Sequence, residues 1–347
     1  MNNNLVTILG AVVIGRNEGE RLRKCLLSLI GYGINVVYVD SASTDDSIKF
    51  ATSIGVKTVQ LDMSKPFTAA RARNEGFDSL MEMAGDLEFV QFIDGDCEIV
   101  DGWFNKAIAI LRQHDNAAVV CGRRRERFPD ASVFNMFCDI EWNTPIGEVD
   151  ACGGDALMRV DQFKAMGGYN PTLIAGEEPE LCVRFRLAGF KILRIDAEMT
   201  LHDANMHHIR QWWKRAVRTG HAFAEGNALH GHTSLRHYVR PVRSIFIWGL
   251  FLPIVIVISL IAALWSTMTL FIALFGAAGY GKIISKSYVE GRNRGGSARD
   301  ALLYGFSIAV AKIPQLIGAF KYYTNRWRGK KTALIEYKMP GEAKTRS

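Results

Sequence analysis

A mostly apolar run over residues 87–93 leads straight into Asp94-Gly95-Asp96. A strand that stops there presents two carboxylates at the carboxyl edge of a sheet, the edge where open α/β folds bind ligands. Side chains alternate along a strand, so Asp94 and Asp96 point to one side if the chain stays extended through Gly95. Two hard oxygen donors on one side suit a Mg²⁺ or Mn²⁺ ion that also holds a diphosphate. The alternative is an acidic turn in which Gly95 supplies the bend. Asp-Gly-Asp alone does not decide between them; its surroundings do.

Apolar runs at residues 5–14, 35–39, 56–61, 87–93 and 117–121 read as buried strands. Between them lie amphipathic stretches. One opens at Asn17-Glu18-Gly19-Glu20 and carries Leu22, Cys25, Leu26 and Leu29 on one face; others cover residues 69–83 and 102–114. Asp45-Asp46 puts negative charge where a further helix begins, as the helix dipole favours. Strand and helix alternate as in a parallel, doubly wound sheet. Residues 122–235 are less regular and rich in Arg, Trp, His and Gly, with a strand expected over residues 191–195.

The chain has 347 residues and a net charge of +7. Much of the basic excess lies beside apolar C-terminal segments, including Arg236, Arg240, Arg243, Lys282, Lys286 and residues 326–331. That placement fits an anionic membrane face rather than nucleic acid, for which no recognition motif is present. Residues 244–265 carry no charge and are long enough for a hydrocarbon core of about 30 Å. Residues 267–280 continue in kind, which predicts a hairpin over about 244–284 with both ends on the basic, cytoplasmic side. A third apolar stretch, 301–320, holds Lys312 and Pro314 and is expected as an interfacial or re-entrant helix, with a third crossing as the alternative. The start, Met1-Asn2-Asn3-Asn4, lacks the pattern of a signal peptide. The six cysteines show no Cys-x-x-Cys spacing and read as apolar fillers in a reducing compartment. The expected location is the inner or plasma membrane, with the N-terminal domain on the cytoplasmic side.

An ordered series of motifs over roughly residues 8–226 resembles the inverting glycosyltransferases of family 2, which have the GT-A fold. They are Val12-Val13-Ile14-Gly15-Arg16-Asn17-Glu18-Gly19, then Val39-Asp40-Ser41-Ala42-Ser43-Thr44-Asp45-Asp46-Ser47, then Ala70-Arg71-Ala72-Arg73-Asn74-Glu75-Gly76. Asp94-Gly95-Asp96, Gly176-Glu177-Glu178-Pro179-Glu180-Leu181 and Gln211-Trp212-Trp213-Lys214-Arg215 follow. Ser41 stands where the family usually has a second Asp, and Ala42 where it often has Gly. The resemblance implies an α/β GT-A domain over residues 1–235, with a nucleotide-sugar half (1–121) and an acceptor half (122–235), and a membrane-associated region over 236–347.

The implied reaction moves a sugar from a UDP- or GDP-linked donor to a lipid-linked or membrane-near hydroxyl, in polysaccharide or glycolipid assembly. Asp96, with Asp94 near the ribose or the ion, would hold Mg or Mn to stabilise the departing diphosphate. Asp40 would accept from a ring N–H of the base. Arg73 would contact base or phosphate, with Arg71 the lesser choice, and Asp155 the donor sugar or the acceptor. His202 is a third metal ligand by analogy with other GT-A enzymes. Glu178 stands where the family has its base Asp, with Glu177 as the alternative; a first-turn acidic cluster serving the helix dipole is compatible with either. Trp212, Trp213, Arg215 and Arg218 would stack on sugars or grip phosphate, or else form an amphipathic helix at the membrane. Two other classes remain open: a sugar-1-phosphate nucleotidylyltransferase, disfavoured by the acidic turn after Gly15, and a catalytically silent membrane scaffold or donor sensor.

Overall fold

The computed structural model describes residues 3–330 and 332–336. Met1, Asn2, Lys331 and residues 337–347 lie outside the described residues; they include the start of the chain, one member of the C-terminal basic cluster and the end of the expected membrane-associated region. By contacts the chain divides into two compact units. Of the described residues, one comprises residues 3–128 with Trp142–Asn205, the other Pro129–Glu141 with residues 206–330 and 332–336.

The first unit is built on a nine-stranded sheet: β1 (Leu9–Gly15), β2 (Asn35–Asp40), β3 (Lys57–Gln60), β4 (Phe89–Asp94), β5 (Cys97–Ile99), β6 (Ala117–Glu126), β7 (Gly147–Glu148), β8 (Ala156–Arg159) and β9 (Lys191–His202). The order is β3-β2-β1-β4-β8-β6-β9-β5, with β7 on β9. Strands β3, β2, β1 and β4 are parallel, as the alternating pattern predicts. Strand β8 enters antiparallel between β4 and β6. The helices are α1 (Asn3–Ile8), α2 (Glu20–Ile30), α3 (Ser47–Ser53), α4 (Ala69–Ala84), α5 (Trp103–Gln113), α7 (Val160–Ala165) and α8 (Glu177–Leu187); α6 (Val133–Trp142) belongs to the second unit as far as Glu141.

Three boundaries differ from expectation. The first apolar run is split between α1 and β1. Strand β6 runs on past Cys121 to Glu126, and β9 past Ile195 to His202. Polar side chains ended both runs on paper, but β6 and β9 pair in parallel over this stretch, Arg124 beside Thr200 and Glu126 beside His202. Backbone pairing there overrides side-chain polarity.

Leu22, Cys25, Leu26 and Leu29 of α2 are buried, as their spacing requires. Thr68 caps α4, its hydroxyl accepting from the Arg71 amide at 3.1 Å. Phe77, Phe92, Phe163 and Tyr169 pack ring against ring beneath β4. Each such buried ring contributes roughly 1.5–3 kcal/mol by apolar transfer. Trp103 joins the core with its indole N–H on Gln91 Oε1 at 2.9 Å.

The second unit is helical: α9 (Ile209–His230), α10 (Val239–Phe246), α11 (Leu252–Ala262), α12 (Thr269–Asn293) and α13 (Ala298–Trp327). A π turn over Ile247–Phe251 links α10 to α11. Pro253 lies just beyond it; proline has no N–H to donate and its ring crowds the carbonyl four residues back, so a widened turn accommodates it. Val239–Ala262 and Ala298–Trp327 are long and apolar enough to cross a membrane. The connection between α11 and α12 bares Leu264 and Trp265, each 80% exposed, and Phe275 of α12 is 83% exposed. Helix α13 continues unbroken through Pro314.

Helices α9 and α13 meet backbone to backbone. A Cβ on Gly220 would sit 1.9 Å from the Gln315 carbonyl oxygen, and one on Gly318 1.9 Å from that of Val217. Gly281 of α12 has nothing within 4 Å of its would-be Cβ. Gly220→Ala and Gly318→Ala are therefore expected to destabilise by about 2 kcal/mol or more through overpacking. Gly281→Ala should be neutral or stabilise by up to about 1 kcal/mol. Thermal unfolding in detergent reads this, and equal melting temperatures for all three would contradict the crossing.

Candidate active site

The carboxyl ends of β1, β2 and β4 lie side by side, and the turns after β1 and β2 lock each other. Asn17 Oδ1 accepts from the Thr44 amide at 2.7 Å, the Asn17 amide donates to Ser43 Oγ at 2.9 Å, and the Gly19 amide to Asp45 at 3.1 Å. Ala42 holds a φ of 63°, left-handed backbone in which glycine is the easier residue. Asp40, at the end of β2, is fully buried. It accepts from the Tyr38 hydroxyl and the Ser43 amide, each at 2.8 Å. Burial first, then Asp40, pushes the Tyr38 phenol well above its usual range, so it stays a donor. Each carboxylate oxygen has a second lone pair for a further N–H.

Arg73 is the centre of the arrangement. It sits one turn into α4 and is 2% exposed. One guanidinium nitrogen meets Asp94 Oδ1 at 2.7 Å, the other Glu177 Oε1 at 2.6 Å. Asp94 is the part of this group open to solvent, its side chain 28% exposed. Asp155 is wholly buried, accepts from the Asp94 amide at 3.0 Å and Thr200 Oγ1 at 2.8 Å, and pairs with the Arg124 guanidinium at 2.9 Å. In this conformation it braces the end of β4 instead of facing a sugar. Arg124 also lies over the Trp142 ring at 5.5 Å. Gly154 is glycine because the site occupies the space: a Cβ there would be 2.9 Å from Asp94 Oδ2 and 3.1 Å from Arg124.

Asp96 follows β4 and is closed off by β9. The β5–β9 pairing sets Cys97 opposite His202, and His202 Nε2 is 3.2 Å from Asp96 Oδ2. His202 Nδ1 faces Glu126 at 3.5 Å, and the edge of Trp142 packs on the imidazole at 4.5 Å. A carboxylate oxygen and an imidazole nitrogen at this separation fit neighbouring vertices of an octahedral ion, about 3 Å apart for bonds of about 2.1 Å. A carboxylate behind the far ring nitrogen is the usual support for a ligating histidine. Asp96 and His202 thus fit a divalent cation.

Helix α8 opens with three acids that diverge. Glu177 goes to Arg73. Glu178 Oε1 accepts from the Cys152 amide at 2.6 Å and lies 3.1 Å from Cys152 Sγ and 3.2 Å from Cys182 Sγ. Glu180 grips Arg184 one turn on, and Arg184 ties the helix to the Met166 and Gly168 carbonyls. The structure therefore brings Arg73, Asp94, Asp155 and Glu177 into one ion network, with Asp96 paired to His202. Glu178 sits at the head of the same helix, turned to a thiol pair. Trp212, Trp213, Arg215 and Arg218 belong to α9 of the second unit. Trp212 packs on Phe134 at 6.4 Å, and Arg215 forks onto Glu141 at 2.8 and 3.1 Å. Burial alone would raise the Glu141 carboxyl, but Arg215 outweighs it and holds the group below the usual range.

Arg124, Glu126, Thr200, Cys152 and Cys182 were not singled out from the sequence. For Arg124 and Glu126 a signal existed: they alternate on an extended β6, facing Thr200 and His202 on β9. For the cysteines there was none, since they are 30 residues apart and meet only in the fold.

Residues 11–160 match the family model described as Glycosyl transferase family 2. A curated relative is the O-antigen chain rhamnosyltransferase WbaN of Salmonella anatum, 26% identical over 199 residues, which are 53% of this chain and 61% of that protein. The chain thus matches less than two thirds of that relative's length. Among solved structures, the mannosyltransferase PcManGT of Pyrobaculum calidifontis, in complex with GDP-Man and Mn²⁺, superposes with a TM-score of 0.56 at 13% identity, over 92% of this chain and 87% of that one. At that identity the likeness is one of fold, and the fold is of the GT-A type that the motifs imply.

For His202, burial acts to lower the imidazole, but the Asp96 carboxylate outweighs it and the group ends above its ordinary 6.5. The pair's stabilisation is then complete below about pH 6.5 and lost as pH rises through the higher folded value. In EDTA, the wild-type melting temperature should fall with pH across that window more steeply than that of His202→Gln. Parallel curves would dissolve the pairing.

Proposed function

Residues 11–160 matching the family model described as Glycosyl transferase family 2, we propose that the chain transfers a sugar, with inversion, from a nucleoside diphosphate donor to a hydroxyl of a lipid-linked or membrane-near acceptor. The observation that carries this reading is the pair of acids leaving β4 at the sheet edge, Asp94 on the Arg73–Glu177 network and Asp96 on His202. A divalent ion bound there, Mg²⁺ or Mn²⁺, would supply positive charge against the departing diphosphate. Asp96 and His202 would hold it, with Glu126 fixing the imidazole. Arg73 sets Asp94 toward the open side. Asp40, with two lone pairs left, would accept from the N–H of a uracil or guanine ring.

The acceptor hydroxyl must lose its proton as it attacks, so a carboxylate has to reach it. Glu177 is committed to a guanidinium, whereas the recorded partners of Glu178 are neutral donors. Glu178 is therefore the base in this reading, and rotation away from Cys152 would bring it to the acceptor. The likeness to an O-antigen rhamnosyltransferase supports a hexose or deoxyhexose donor and an acceptor of the polysaccharide or glycolipid kind. The apolar helices of the second unit support membrane association, which suits a lipid-linked acceptor. The basic residues flanking them favour a catalytic domain on the cytoplasmic face.

The test is release of nucleoside diphosphate by the purified chain in membranes, over a panel of nucleotide sugars. Asp96→Asn should lower kcat/KM by about a hundredfold or more. Glu178→Gln should lower kcat by about 10²–10⁴-fold with donor affinity kept. Wild-type turnover in Asp96→Asn, or transfer indifferent to EDTA, would refute the metal-assisted reading. Full turnover in Glu178→Gln would move the base to Glu177.

A further inference from the structure

The sequence treats the cysteines as isolated apolar fillers, but two of them converge on Glu178. Cys152 Sγ and Cys182 Sγ are 3.7 Å apart, and Glu178 Oε1 lies 3.1 and 3.2 Å from them. Cys182 and Glu178 are four residues apart on α8, so one helix face presents both. Cys152 comes from the loop before β8 and is the partly exposed member. Three donors of this kind around one point are what a borderline-soft ion requires. For tetrahedral zinc with bonds of about 2.3 Å to sulfur and about 2.0 Å to oxygen, neighbouring donors stand about 3.8 Å apart (S to S) and about 3.5 Å (S to O). The observed triangle is within a few tenths of an ångström of that. The amide N–H of Cys152 already donates to the carboxylate at 2.6 Å, the kind of outer contact that orients a ligating carboxyl.

We propose that Cys152, Glu178 and Cys182 form a second metal site, for Zn²⁺ or a similar thiophilic divalent ion, separate from the Asp96–His202 pair. Three protein donors leave the fourth tetrahedral position for a water on the Cys152 side. Binding replaces the two thiol protons, which leave to solvent, so the ion gains two thiolates and one carboxylate with no change of oxidation state. A consequence follows, resting on Glu178 as the base: an ion here captures the group that must deprotonate the acceptor, so zinc inhibits transfer.

The probe is Co²⁺ added to the full-length, reduced protein in detergent, with Mn²⁺ in excess to fill the Asp96 site. Thiolate ligation gives a sulfur-to-cobalt charge-transfer band in the near ultraviolet, discharged by Zn²⁺. Wild type and Cys97→Ala should both show it, the latter because Cys97 borders the other site. Cys152→Ser and Cys182→Ser should each weaken binding by about a hundredfold. Calorimetry in buffers of different ionisation enthalpy should report release of about two protons per Zn²⁺. No band in the reduced wild type, or a band that survives in both serine variants, overturns the site. So does a Cys152–Cys182 disulfide formed by peroxide in protein that binds no cobalt. If the band is present but Zn²⁺ leaves transfer unchanged, the metal site stands and Glu178 is not the base.

Discussion

A single buried guanidinium holds the candidate site together. Arg73 joins the end of a central strand, through Asp94, to the head of α8, through Glu177, across more than a hundred residues of chain. Removing one partner of such a buried pair costs about 3–5 kcal/mol, because the other charge stays behind unpaired. Arg124 adds a second cation to the cluster, beside Asp155.

The sheet supplies the rest by running longer than its apolar runs. Because β6 and β9 stay paired beyond Cys121 and Ile195, Arg124 and Glu126 come to lie beside Thr200 and His202. The extension gives Asp155 its brace, Asp96 its imidazole and that imidazole its backing carboxylate. The short β5 then holds Cys97 against His202 at the sheet's edge. The register shifts between Cys121 and Arg124, and the pairing beyond that irregularity sets Arg124 beside Thr200 and Glu126 beside His202.

The second unit solves a different problem. Its helices approach so closely at Gly220 and Gly318 that no side chain fits between them. Close backbone contact at small residues is how helices associate where the hydrophobic effect offers little. The apolar side chains that elsewhere would fill a core instead point outward, over α11, α12 and the outer face of α13. Arg215 and Glu141, with Arg294 on the Glu141 carbonyl, form a polar knot within the same unit. Trp212 and Arg215 thus already have structural work to do, whatever else they bind.

Local pattern was enough to read the parallel half of the sheet, the buried face of α2, the apolar helices and the place of Asp94 at the end of β4; the chain does not stay extended through Gly95 but turns there, so Asp94 and Asp96 go to different partners. Each of these is written in neighbouring residues, as period two, period 3.6, an uncharged run or a motif. What the acids do to one another was not written there. Whether Glu177 or Glu178 meets Arg73, that Asp155 braces instead of facing outward, that His202 closes on Asp96, and that Cys152 and Cys182 share Glu178 all depend on side chains distant in sequence. The chain by itself determined which elements form and where chemistry collects, because propensity and burial act over a few residues. Only the tertiary structure decided the partners of each charge, because electrostatic pairing acts through space, over a few ångströms that any two parts of the fold can come to share.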